Sequence, residues 1–176
     1  TGGVGLTGGW GLGPANIYFG NLWGGGVYYD FVAPSGIGLQ LNLSKYYAKY
    51  HDYCSYYGNY YGYGGRESYE CASYDFPIIL KYHLFYDTDL SPYFGLGVCY
   101  NFIKTYEKRP DYCTGVWYYM YDEKKEGIAP VIDIGIEFFA QRRIHFSTDA
   151  KVFIGLSTEH FNSTMVLFSP ALSIHW

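Results

Sequence analysis

Apolar and small or polar residues alternate with a period of two along most of the chain, which is the mark of strands with two unlike faces. Near the start, Val4, Leu6, Trp10 and Leu12 alternate with Gly3, Gly5, Thr7, Gly9 and Gly11. After the turn signal Ala33-Pro34-Ser35-Gly36, the residues Ile37, Leu39, Leu41 and Leu43 alternate with Gly38, Gln40, Asn42 and Ser44. The same pattern runs through Phe76 to Leu84, Phe94 to Phe102, Ile132 to Phe138, Ile144 to Leu156 and Val166 to Trp176. With a less regular stretch over Ile17 to Val32, the pattern predicts eight strands.

The connections alternate in length. They are short at 33–36, 86–91 and 141–143 and long at 54–70 and 109–126, with two of modest length at 13–16 and 157–163. An even number of strands with tight turns on one side and longer loops on the other predicts an all-β, eight-stranded antiparallel up-and-down transmembrane barrel. The whole span 1–176 then forms one domain, with both termini on the side of the tight turns. Period two does not say which face points inward, and a lipocalin-like soluble barrel also has eight strands, with its apolar face inside. The composition of the other face decides. It holds mostly Gly, Ser, Thr and Asn rather than the Lys and Glu of a wetted exterior, and small residues suit the bore of a narrow barrel. The apolar face is nearly free of charge, as a lipid-facing surface must be, because an Arg or Lys at the bilayer midplane costs about 2–4 kcal/mol.

Composition sharpens this. The 176 residues include 23 Tyr, 12 Phe, 4 Trp and 23 Gly, against 16% charged residues. Disordered chains lack such aromatic content, and no stretch of about 18 apolar residues exists to form a spanning helix. The net charge of -4 excludes the basic footprint of nucleic-acid binding. Thr1 is not followed by a basic segment and an apolar run, so a cleaved signal peptide is expected in the precursor.

The segments Asp75-Phe76-Pro77-Ile78-Ile79-Leu80-Lys81-Tyr82 and Ser91-Pro92-Tyr93-Phe94-Gly95-Leu96-Gly97-Val98-Cys99-Tyr100-Asn101-Phe102 resemble the outer membrane protein W family. So does the C-terminal run from Phe168-Ser169-Pro170 to Trp176, whose terminal aromatic resembles the signal read by the outer-membrane assembly machinery. The likeness covers about residues 74 to 176; the N-terminal half resembles only the broader outer membrane protein A-like class of small barrels. The resemblance implies a narrow channel in the outer membrane of a Gram-negative bacterium, passing small hydrophobic molecules, in contact with lipid and lipopolysaccharide. The alternative is a non-transporting surface barrel whose Tyr-rich outer loops bind a protein, phage or host component.

By parity the lumen receives Asp30, Gln40, Asn42, Lys81, Asn101, Asp133, Glu137, Asp149, Lys151, Phe153, Met165 and Leu167, together with Ile79 and Phe139. Buried charges need partners, so these groups either plug the barrel as a bonded network or line a pore. Cys54 and Cys71 flank the second outer loop on one face and are predicted to form a disulfide, whereas Cys99 reads as a small buried filler. Pro77, Pro130 and Pro170 within strands predict bulges or ladder defects.

Neither His145 with Ser147 nor the set Glu159, His160 and Ser163 supplies a nucleophile, base and orienting group on the required side, so no catalytic residue is assigned. The five His show no paired spacing of a zinc site, so no metal or cofactor is assigned either. Fourteen of the 23 Tyr fall in the stretches 46–63 and 106–121. Tyr56, Tyr57, Tyr60, Tyr61 and Tyr63, with Trp117, Tyr118 and Tyr119, form a candidate recognition surface, since Tyr gives large contact area at low entropic cost.

Overall fold

A computed structural model describes residues 1–12, 21–53, 66–110, 117–140, 142–158 and 161–176. Eight strands form: β1 (Gly2–Leu12), β2 (Asn21–Val32), β3 (Ile37–Tyr53), β4 (Arg66–His83), β5 (Leu90–Pro110), β6 (Trp117–Phe138), β7 (Ile144–Thr158) and β8 (Phe161–His175). Each pairs antiparallel with the next, and β8 closes on β1 to complete a barrel without an edge in its wall.

The register fixes the bore. Gly11 pairs with Leu167, and successive partners around the wall are Lys151, Asp133, Gly95, Lys81, Gly38 and Val32. The Val32 N–H then bonds the carbonyl of Thr1, so one circuit climbs ten residues along β1. Eight strands with such a stagger are strongly tilted and leave just enough interior for side chains.

Strand alternation sends the large aliphatics outward. Leu6, Ile78, Leu80, Leu96, Ile134, Leu172 and Ile174 are each more than half exposed, while their neighbours in sequence Thr7, Ile79, Asp133 and Ser173 are buried. Aromatic pairs rim this band at the hairpin end: Trp10 with Phe168, Trp23 with Tyr47 and Tyr74 with Phe102. The Lys45 ammonium lies 4.7 and 4.8 Å from the ring centroids of Tyr47 and Tyr74. At the turn end the rim holds exposed Tyr29, Phe31, Tyr82 and Trp176. Among the described residues, the outward positions between the rims carry no Lys, Arg, Asp or Glu. Apolar belts between aromatic girdles are how a barrel meets the two interfaces of a bilayer.

The strands depart from the sequence reading at the hairpin end. β4 begins at Arg66, and residues 109–110 and most of 117–126 are paired strand; the described part of β2 starts at Asn21, and Ile17 and 111–116 lie outside the described residues. Apolar alternation is absent there, since charged and tyrosine residues fall on both parities, but backbone pairing needs no apolar stripe. As a result β3 to β6 pair out to Tyr53↔Arg66, Ser68↔Lys108 and Pro110↔Trp117. The ladder of β2 with β3 stops at Trp23↔Tyr47, and that of β6 with β7 at Val131↔Phe153. Among the described residues, a sheet of β3 to β6 therefore projects beyond the wall.

The prolines produce gaps rather than bulges. The β3–β4 ladder skips the pairs opposite Phe76 and Pro77, the β1–β8 ladder skips those opposite Ser169 and Pro170, and the β6–β7 ladder ends beside Pro130. Pro removes a donor without adding a residue, so pairing lapses while register holds. The register shifts that do occur lie at Glu107/Lys108 and between Phe153 and Leu156.

Candidate functional site in the barrel lumen

Inward side chains stack in layers along the bore. At the turn end, His83 closes β4, Glu137 stands next to the end of β6, His145 is the second residue of β7, and His175 ends β8. The His145 Nδ1 lies 2.5 Å from Glu137 Oε1, and its Nε2 lies 2.5 Å from the carbonyl of Arg142. His83 Nδ1 is 3.5 Å from Glu137 Oε2 and 3.3 Å from Ser91 Oγ. The His145 and His175 rings stack with centroids 3.5 Å apart, and His175 Nε2 lies 2.9 Å from Ser173 Oγ and 3.7 Å from Asp30 Oδ1.

Above this comes an ionic layer. Lys151 donates to Asp149, Tyr93 donates its hydroxyl to the other Asp149 oxygen at 3.2 Å, and Lys81 lies 3.7 Å from Asp133. The Lys81 ammonium also sits 3.9 Å from the Tyr93 ring centroid. Two ammonium groups thus face two carboxylates. Gln40 donates to Asn42 at 3.0 Å on the wall alongside. Higher still is an apolar layer of Tyr46, Ile79, Cys99, Val131, Phe153, Met165 and Leu167. Asp75, nearer the hairpins on β4, accepts bonds from Ser73 at 2.6 Å and from the Asn101 amide.

The twelve lumen residues read from parity are all inward and buried. Phe139 is not: it is 53% exposed with φ of 61°, because β6 ends at Phe138 and the chain has left the strand on which parity was counted. The His cluster escaped the sequence reading, since its members are far apart in the chain. The signal was present all the same, because His83, His145 and His175 each occupy an inward position at the turn end of a strand.

Cys99 is a buried free thiol, as the filler reading expects. Cys71 stands across from Ala48, while the end of β3 at Tyr53 stands across from Arg66; Cys54 lies outside the described residues. So do Tyr56, Tyr57, Tyr60, Tyr61 and Tyr63. Trp117, Tyr118 and Tyr119 belong to β6, opposite Pro110, Arg109 and Lys108.

Glycine makes room for the large lumen groups. A Cβ on Gly135 would lie 2.5 Å from the ring of Tyr93. Gly135→Val is expected to destabilise the barrel by about 1–3 kcal/mol through overpacking, measured by urea titration in micelles. Gly8→Ala is the control, because its Cβ meets nothing nearer than Pro170 at 4.0 Å.

No family model matches the chain, and no curated protein does. Among solved structures, it is similar to Neisserial surface protein A at 9% identity, TM-score 0.65, over 99% of this chain and 97% of that one. It is similar to the outer membrane protein OprG of Pseudomonas aeruginosa at 9% identity and TM-score 0.63, over 98% and 92%. A third match is Ail, the attachment invasion locus protein of Yersinia pestis, at 9% identity and TM-score 0.57, over 98% and 95%. At these identities the shared property is the fold, which is that of the small eight-stranded outer-membrane barrels.

Proposed function

We propose that this chain is a non-conducting barrel of a Gram-negative outer membrane, turn end in the periplasm, whose projecting hairpins bind a protein, phage or host component outside the cell. Closure of the lumen carries this reading. Lumen-facing Ile79, Cys99, Asp133 and Leu167 have no exposed surface, and Val131 and Phe153 have 1%. A side chain lining a water-filled path would be wetted, so a pore is the less favoured of the two readings.

The projecting sheet supports the second half of the proposal. Its register pairs Tyr50 with Tyr69, Glu107 with Tyr121, Lys108 with Tyr119 and Arg109 with Tyr118. Tyr, Lys, Arg and Glu are concentrated in these paired strand ends, and binding surfaces favour Tyr because it gives contact area at low entropic cost. A transport role, as the W-family resemblance implies, would instead require passage of solute.

Planar bilayers separate the readings. The refolded protein is expected to give no stepwise conductance and no liposome uptake of a small apolar solute above protein-free controls. Discrete conductance steps would overturn the proposal. Trimming 109–126 should abolish attachment to the bound surface while leaving the barrel folded, as heat-modifiable gel migration reports.

A further inference from the structure

We infer that the turn end of the lumen is a transition-metal site, with Glu137, His145 and His175 as ligands to a divalent ion of the zinc kind. One donor atom from each lies within 4.8 Å of the others, and all three residues are buried. The ligands come from the neighbouring strands β6, β7 and β8, so a bound ion would tie together three strands at the mouth.

Two further observations point to a ligand. Buried polar atoms at this mouth stand without hydrogen-bond partners: His175 Nδ1, His83 Nε2 and Asp30 Oδ1. Groups left so usually cost the fold, and their presence calls for an ion or bound water. The second observation is the outer shell. A metal-bound imidazole commonly donates its other N–H to a carbonyl or carboxylate, which fixes the tautomer and aims the lone pair. His145 has Nε2 at 2.5 Å from the Arg142 carbonyl, leaving Nδ1 turned to Glu137. His175 has Nε2 at 2.9 Å from Ser173 Oγ, leaving Nδ1 with its lone pair.

Two imidazoles with one carboxylate suit zinc, which takes nitrogen and oxygen donors at about 2.0–2.2 Å in a tetrahedron. Such ligands sit about 3.4 Å apart, so Glu137 Oε1 and His145 Nδ1, now 2.5 Å apart, must part to admit the ion, while any wider separation, at most 4.8 Å, closes. His83 from β4 lies 3.5 Å from Glu137 Oε2, and Asp30 from β2 lies 3.7 Å from His175 Nε2, so each borders one of the three ligand residues. Gly3 leaves room for this arrangement, since a Cβ there would fall 2.5 Å from the His175 ring.

The test uses the full chain refolded in micelles and stripped of metal with a chelator. Zinc titrated by calorimetry is expected to bind at one equivalent and raise the thermal midpoint, and cobalt to give the intense visible bands of a tetrahedral site. His145→Gln and His175→Gln should each weaken zinc binding at least tenfold while retaining heat-modifiable migration. X-ray absorption at the zinc edge of the wild-type protein, which needs no variant, should show a shell of nitrogen and oxygen with imidazole scattering. Absence of stoichiometric binding, binding unchanged in both variants, or sulfur in the shell would overturn the assignment.

Discussion

Lys151→Met is expected to destabilise the barrel by about 3–5 kcal/mol, the cost of leaving a buried charge without its partner. Lys151 is 4% exposed and its ammonium donates to Asp149, in a layer where Lys81 serves Asp133. Removing one of two cations leaves two carboxylates sharing the other. Neutralising the partner as well, in Lys151→Met with Asp149→Asn, is expected to recover at least half of the loss, because replacing a buried pair whole is far less costly than breaking it. Urea titration in micelles, followed by tryptophan fluorescence, measures both. A loss below about 1 kcal/mol for the single variant, the value of an exposed pair, would show that water reaches this layer. That result would also count against the closed lumen on which the proposed function rests.

The division between lumen and lipid was legible in the sequence because period two is a strict geometric consequence of strand pleating. Asp133 and Ile134, adjacent in the chain, are fully buried and 59% exposed. What decided which face was inside was the chemistry of the small-residue face, and the structure fills that face with glycines beside large rings, as at Gly135 and Tyr93. The projecting sheet was not legible. From Lys104 to Asp122, charged and tyrosine residues fall on both parities, although the backbone pairs through most of this stretch. The His cluster was illegible for another reason. Its three strands are brought together by barrel closure, and spacing along the chain carries no trace of that. Strand ends were needed first, and with them parity would have placed all three imidazoles at one mouth.

Ile79 and Leu80 test the two faces at a single point in the chain. Ile79 has no exposed surface and packs in the apolar layer, whereas Leu80 is 59% exposed in the middle of the outward band. Ile79→Ala is expected to cost about 2–5 kcal/mol through lost burial and a cavity in the bore. Leu80→Arg should cost about 2–4 kcal/mol in a lipid bilayer, while Leu84→Arg, beyond the end of β4 at the turn-end rim, should cost about 0–1 kcal/mol. Such a gradient with depth is specific to a lipid-facing surface. On a barrel standing in water, an exposed leucine replaced by arginine would change stability by less than about 0.5 kcal/mol, wherever along the strand it lay. Equilibrium unfolding from liposomes therefore distinguishes the alternatives with three variants. A neutral Leu80→Arg beside a costly Ile79→Ala would leave the closed bore intact and remove the membrane from around it.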